Sequence, residues 1–248
     1  MDDVRAAGPA RPNLWAGGLT SYAFSVEATI GQNPMRYLVG RRFEQAADNA
    51  PPTGALTMLF VIRPQVLYGT YVRISESAVG GGCEIHTFLP TMARPVKVAE
   101  ALMFDCLPLT DVGYLDLMAW PHPGLRAVGE AAYLDPAADI TWTPTTMVHY
   151  AGPSSVPGLR ICDVVDVEFS MVIRRVLYRD GRQVRRWEIT ERGAAGEETL
   201  PARIRVARPQ TGHGTEFVRA SPAIAVPPDV FDGEPAGTRA WIGERLPG

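Results

Sequence analysis

Lysine is almost absent from this 248-residue chain: Lys97 is the only one among 24 basic residues, and arginine supplies the others. The bias reads as the codon usage of a GC-rich genome. Against 27 acidic residues it leaves a formal net charge of -3, so there is no bulk positive field to draw the chain to nucleic acid or to an anionic lipid surface. Cysteine is scarce too. Cys83, Cys106 and Cys162 lie far apart and form no C-x-x-C pair, which argues against a disulfide framework or a cysteine-rich zinc site and fits a reducing compartment. No run approaches the ~20 apolar residues of a membrane-spanning helix, and the opening MDDVRAAGPARPNLWAGG has no apolar core of signal-peptide length. The expectation is a soluble, cytoplasmic protein as written, or an extracytoplasmic one if a leader has been removed.

Several chemical signatures are missing as well. There is no G-x-S-x-G, no G-x-x-x-x-G-K, no dinucleotide fingerprint and no H-E-x-x-H. Gly80-Gly81-Gly82 stands between two strand-like runs rather than ahead of a helix, so it reads as a hairpin loop and not a phosphate cradle. No cofactor and no metal are expected.

What the sequence does contain is strand periodicity. From Thr20 to Ile30, Tyr22, Phe24, Val26, Ala28 and Ile30 alternate with Ser21, Ser25, Glu27 and Thr29, which is the period of a half-buried strand. Gly31, Asn33 and Pro34 supply a turn, and Met35 to Phe43 returns as the second strand of a hairpin. The segment 44–54, with Pro51-Pro52, is expected to be a loop. Met58 to Pro90 then reads as a β-meander broken at Pro64 and at the three glycines, with an almost wholly apolar first run, Leu56 to Ile62. In its last run Cys83, Ile85, Thr87 and Leu89 share one face and Glu84, His86 and Phe88 the other.

Ala99 to Phe104 fits a short helix or a strand, and Thr110 or Asp111 is expected to cap a short helix. Residues 121–160 are rich in Pro, Gly and Ala, with strand-like pieces at Ile140 to Trp142 and Thr146 to Tyr150. Glu168 to Tyr178 and Gln183 to Glu191 flank Asp180-Gly181, the dipeptide of a tight hairpin turn. Leu200 to Arg208 and Thr215 to Ala220 give two more strands joined through Gly212 to Gly214. Phe231 and Trp241 are expected to fold back on the sheet as apolar plugs. Residues 1–14 read as a loose arm, and 15–248 as a single mainly β domain.

These elements resemble the LolA-like lipoprotein-sorting superfamily. The resemblance rests on FVIRPQVLYGT (Phe60 to Thr70), then Phe88-Leu89-Pro90, Arg94, Thr110-Asp111, Tyr114 and Asp116-Leu117. Further on come VLYRDGRQV (Val176 to Val184), Leu200-Pro201, Arg203-Ile204, Thr215 and a closing Phe231. It implies a strongly curved antiparallel sheet, an incomplete barrel whose apolar cavity is covered by a few short helices and holds an acyl chain or another hydrophobic molecule. With no signal-peptide core in its opening as written, the chain is expected to differ from the exported members unless a leader has been removed.

On that reading the aromatic residues Trp15, Tyr22, Phe24, Tyr37, Phe60, Tyr68 and Phe88 are the candidate ligand contacts, although filling a core is the ordinary role of such side chains. A rival reading is a cofactor-independent cyclase or isomerase acting on a polyketide-like intermediate, with Asp105, Glu84, His86 and Tyr114 as candidate proton donors and acceptors. Asp105, between Phe104 and Cys106 in an apolar run, is the carboxyl expected to be desolvated. Asp111 and Asp116 suit a helix cap and an arginine partner, and His86, His122, His149 and His213 lack metal-ligand spacing. A third reading is a partner-binding module that presents the basic hairpin Arg174, Arg175, Arg179, Arg182, Arg185 and Arg186. Balanced by Glu188 and Glu191, that hairpin is expected to be a solvated ribbon.

Overall fold

The computed structural model describes residues 12–45, 50–78, 81–107, 109–133, 145–197 and 199–246. In chain order the strands are β1 (Ser21–Ile30), β2 (Asn33–Gln45), β3 (Pro52–Arg63), β4 (Tyr71–Ser77), β5 (Cys83–Phe88) and β6 (Val96–Lys97). After helix α1 (Tyr114–Leu117) come β7 (Arg126–Tyr133), β8 (Thr145–Ala151), β9 (Leu159–Asp166), β10 (Met171–Arg179), β11 (Arg182–Glu191), β12 (Arg203–Arg208), β13 (His213–Arg219) and β14 (Ile224–Ala225). Helix α2 (Pro235–Gly243) closes the series. Successive strands from β1 to β5, and from β7 to β12, pair antiparallel, as hairpin and meander connections require.

The chain forms two compact units. The first-hairpin unit comprises Gly18–Ala119 and Phe217–Gly248, with strand order β6-β5-β4-β3-β2-β1 and both β13 and β14 against β1. The arginine-rich unit comprises Met1–Gly17 and Trp120–Glu216, with strand order β12-β11-β10-β9-β8-β7. Neither order returns on itself. The fold is therefore mainly β, an antiparallel sheet not closed into a barrel, with two short α-helices among the described residues.

In the first-hairpin unit the sheet is covered on both faces. Alternation places Tyr22 and Phe24 of β1 beside Arg41, Val39 and Tyr37 of β2 on one face. The same face continues through Thr57, Leu59 and Val61 of β3 to Val72 and Ile74 of β4 and Ile85 and Thr87 of β5. The opposite face carries Ala23, Leu38, Leu56, Met58 and Phe60, packed with Val226, Phe231, Ile242 and Leu246. So α2 and the preceding 3-10 turn (Pro228–Phe231) seal the outer face, with Trp241 partly buried beside them. The double cover explains why Leu56 to Ile62 is apolar almost throughout.

Some local expectations need correction. β2 runs on to Gln45 and β3 begins at Pro52, with these two residues paired, so the loop is shorter than 44–54; proline is tolerated as the first residue of a strand. Ala99 to Phe104 forms a 3-10 turn, Glu100–Leu102. The cap of α1 is Gly113, whose N–H donates to Asp116 Oδ2 at 3.2 Å, while Asp111 is buried and Thr110 bonds back to Leu107 O at 2.9 Å. β7 and β9 go beyond the sequence expectation, one arising in a Pro- and Gly-rich stretch and the other in a run without clear alternation. Ile140 to Trp142 and residues 1–11 of the arm lie outside the described residues.

Gly40 shows how tightly the outer face is built. A Cβ there would sit 2.9 Å from Phe231 Cε1 and 3.0 Å from Ile242 Cδ1, so α2 rests on the strand only because β2 lacks a side chain at this point. Gly40→Val is expected to lower stability by about 1–3 kcal/mol through overpacking, read as a lower urea midpoint with an unchanged slope. A wild-type midpoint would show that α2 does not rest on Gly40.

Candidate functional site

The inward face of the first-hairpin unit gathers the most side chains of functional interest. β1 delivers Tyr22 and Phe24 to it and β2 delivers Tyr37, all nearly inaccessible to solvent. Tyr22 stacks against Phe24 with ring centroids 6.4 Å apart and tilts against Phe43 at 6.3 Å, while Tyr37 tilts against Phe217 at 6.1 Å. The cover on this face is segment 98–119, whose described residues form one 3-10 turn, the single turn of α1 and an isolated antiparallel bridge between Cys106 and Gly113. It contributes Met103, Phe104, Leu107, Leu115, Leu117 and Met118, all buried.

Three polar tethers place the cover. Arg41 is 1% exposed, the largest fully buried side chain described. Its Nε donates to Thr57 Oγ1 at 2.9 Å, its Nη2 donates to Leu117 O, and its guanidinium lies 5.7 Å from the Phe43 ring centre. Glu76, also buried, accepts from the Ala119 N–H at 2.8 Å. Tyr114 is hydrogen-bonded with Thr87 of β5, and burial raises its phenol above the usual tyrosine range. The Tyr37 hydroxyl is buried without a hydrogen-bond partner, and desolvation followed by the charge of Asp111 pushes its pKa strongly upward.

The four candidate proton donors form two pairs rather than one group: the Tyr114 N–H donates to the Asp105 carbonyl at 3.3 Å, and Glu84 lies close enough to His86 to feel its charge. Tyr114 reaches the inward face of β5 through Thr87, whereas Glu84 and His86 project from the opposite face of the same strand. Glu84 is exposed and paired with Lys97, whose hydrogen bond and charge hold its carboxyl below the usual range. Asp105, expected to be desolvated, is exposed: it follows the turn at Glu100–Leu102, and its neighbours Phe104 and Leu107 take the buried positions instead.

The aromatic candidates divide likewise. Phe60 belongs to the outer core with Phe231, and Phe88 stacks on Tyr71 at 5.5 Å on the outward side of β4 and β5. Tyr68 is 43% exposed under the Arg239 guanidinium, 4.6 Å from its ring centre. Trp15 lies in the other unit, where its carbonyl accepts from Thr199 Oγ1 at 2.5 Å. Tyr22, Phe24 and Tyr37 alone of that set share the inward face.

The arginine-rich unit has an ionic interior that corrects the solvated-ribbon expectation. Arg175 and Arg185 are 3% and 5% exposed. Arg175 pairs with Asp163, directly across from it in the ladder, through Nε–Oδ1 at 2.8 Å and Nη2–Oδ2 at 2.7 Å. Tyr150 shares that face, since it stands opposite Ile161, two residues from Asp163. Its hydroxyl is buried without a hydrogen-bond partner, and desolvation, with the Asp163 charge next, pushes its pKa up to about 12. Arg41, Glu76 and Asp163 belong to no motif and escape a reading of the sequence, yet each has the strand parity of buried apolar neighbours: Tyr37 and Val39, Val72 and Ile74, Ile161 and Val165.

Compared by sequence, the chain matches no family model and no curated protein. Compared by structure, it is similar to a DUF1329 family protein from Desulfovibrio piger, with TM-score 0.67 and 13% identity over 88% of this chain and 92% of that one. A protein described as an outer membrane lipoprotein-sorting domain, from Vibrio parahaemolyticus, gives TM-score 0.65 and 12% identity over 87% and 90%. A LolA superfamily protein from Nitrosomonas europaea gives TM-score 0.59 and 14% identity over 88% and 91%. The fold is LolA-like. No helix among the described residues is long and apolar enough to cross a membrane.

Two outcomes follow from the buried charges and phenols. Arg175→Met leaves Asp163 buried without its bidentate partner and is expected to cost about 3–5 kcal/mol. The double variant with Asp163→Leu should recover most of that stability in urea unfolding; equal costs for single and double would refute a coupled pair. Tyr150 has a folded pKa of about 12 against 10.0 for the free side chain, so its neutral form is favoured by folding. That stabilisation is complete below pH 10 and is lost between pH 10 and about 12, at roughly 1.4 kcal/mol per pH unit. Tyr150→Phe is expected to flatten the alkaline limb of stability against pH in that window, and an unchanged limb would show that Tyr150 titrates normally.

Proposed function

We propose that this chain binds a hydrophobic small molecule or an acyl chain on the inward face of the first-hairpin unit, beneath segment 98–119, and acts as its carrier. The observation that carries the reading is the construction of the cover. It is an apolar segment whose described residues form only short turns and one isolated bridge, laid on an aromatic sheet face and registered there by the bond Arg41 donates to Leu117 O, the bond Glu76 accepts from the Ala119 N–H and the bond between Tyr114 and Thr87. Such a cover is exchangeable. When Leu107, Leu117 and Met118 withdraw, an apolar ligand against Tyr22, Phe24 and Tyr37 keeps the sheet face out of water in their place, so the hydrophobic contributions largely offset and the polar tethers set the balance.

The shared fold supports this reading, since a structural relative is described as an outer membrane lipoprotein-sorting domain. Binding of this kind needs no cofactor. The cyclase or isomerase reading gains nothing from the geometry, because its candidate groups stand on opposite faces of β5 or in solvent.

Native mass spectrometry of the purified chain, with denaturing extraction, is expected to find a retained apolar molecule. Palmitate is expected to displace N-phenyl-1-naphthylamine from the delipidated protein. Arg41→Leu and Glu76→Gln each loosen one tether and should speed probe uptake several-fold while far-ultraviolet circular dichroism stays native. A folded protein that retains nothing and takes up no probe would end the carrier reading; uptake unaffected by both variants would remove segment 98–119 as the cover.

A further inference from the structure

Two buried hydroxyls on the inward face of the first-hairpin unit have no hydrogen-bond partner among the described residues: Tyr37 on β2 and Thr70, which immediately precedes β4. Tyr37 is 0% exposed and Thr70 1%. A hydroxyl taken out of water forfeits its bonds to solvent, so folded proteins leave few of them unmet. Here two stand together. Val61 of β3 is opposite Tyr37 in the ladder, and its N–H donates to the Thr70 carbonyl at 2.9 Å. Thr70 precedes the inward-facing Val72 by two residues, so alternation puts its side chain on the same face. The two hydroxyls thus flank one valine near the Pro64 end of β3. Other polar side chains of this face are engaged: Arg41 with Thr57, Glu76 with the Ala119 N–H and Thr87 with Tyr114.

The charge nearby narrows what can meet these hydroxyls. Asp111, buried on the cover, acts on Tyr37 strongly enough to disfavour the ionised phenol, so the hydroxyl keeps its proton and is a donor. A free fatty acid would set a second carboxylate against the Asp111 charge, in an interior where such repulsion is poorly screened. A bare hydrocarbon would leave both donors unmet. An ester carbonyl accepts their hydrogen bonds without bringing a charge.

We propose that Tyr37 and Thr70 donate hydrogen bonds to the carbonyl end of an acyl ester, and so select an esterified chain over the free acid or a hydrocarbon. The proposal rests on the carrier reading and names the chemistry of its cargo. Both hydroxyls are already out of water and held by packed strands, so the protein pays little to present them.

The test is displacement of N-phenyl-1-naphthylamine from the delipidated full-length protein near neutral pH by methyl laurate, laurate and tridecane. Methyl laurate is expected to bind most tightly. Tyr37→Phe should weaken it about tenfold and Thr70→Val several-fold, the scale of one lost hydrogen bond to a buried donor, while tridecane changes little. The infrared carbonyl stretch of bound, isotope-labelled methyl laurate should lie at lower wavenumber in the wild type than in Tyr37→Phe. The urea midpoint of ligand-free Tyr37→Phe should equal or exceed that of the wild type, because an unmet hydroxyl is removed; a lower midpoint would show the hydroxyl to be bonded already and overturn the assignment. If methyl laurate binds the wild type and both variants alike, the carbonyl proposal fails and the carrier reading stands. Laurate binding as tightly as methyl laurate, with Tyr37→Phe weakening both, would overturn the choice of ester over acid. If the folded protein binds neither the probe nor any of the three ligands, both readings are wrong.

Discussion

The burial of one guanidinium governs the first-hairpin unit. Taking an arginine out of water costs several kcal/mol unless its donors are met, and Arg41 stands on β2 in the middle of an apolar face. Thr57 meets one donor from the neighbouring strand and the Leu117 carbonyl meets another from the cover. That second acceptor is available because α1 ends at Leu117, where the last carbonyls of a helix lack internal partners. Apolar packing alone would hold segment 98–119 on the sheet without fixing its position, since it is non-directional. The hydrogen bonds from Arg41, and the one Glu76 accepts from Ala119, supply the register.

The arginine-rich unit solves the same electrostatic problem differently. Asp163 and Arg175 face each other on adjacent strands, and Asp166, 0% exposed, is met by Arg192 at 2.6 Å and by the Phe169 N–H at 3.0 Å. Arg192 also lies 4.7 Å from the centre of the Phe169 ring. These pairs join residues of the sheet and its turns, so they stiffen the unit internally, whereas the Arg41 and Glu76 bonds join the sheet to the segment laid over it.

Strand periodicity made much of this architecture legible. Alternation in Thr20 to Ile30, Asp180-Gly181 between two apolar runs, and the breaks at Pro64 and Gly80 to Gly82 mark hairpins that the fold contains, because side-chain parity and turn chemistry are local properties. The buried charges were less legible for a physical reason. Arg41, Glu76 and Asp163 occupy inward positions, but their partners lie 76, 43 and 12 residues away, and a charge on an inward position is read as surface until its partner is known. Asp105 failed in the opposite sense: apolar neighbours in sequence do not bury a side chain in a turn, where three successive residues point in different directions.

Alternation also decides which polar groups reach the inward face. On β5, Ile85 and Thr87 are buried, so Glu84 and His86 must point away; bringing them inward would take a one-residue slip that turns Ile85 out to solvent. The polar groups that do reach the face are committed or poorly tuned for proton transfer. Arg41 and Glu76 are bonded to the cover, and Tyr37 and Tyr114 are shifted by burial away from neutrality, where an acid or base works best. The inward face thus combines aromatic side chains, hydrogen-bonding groups engaged with the cover and phenols that keep their protons.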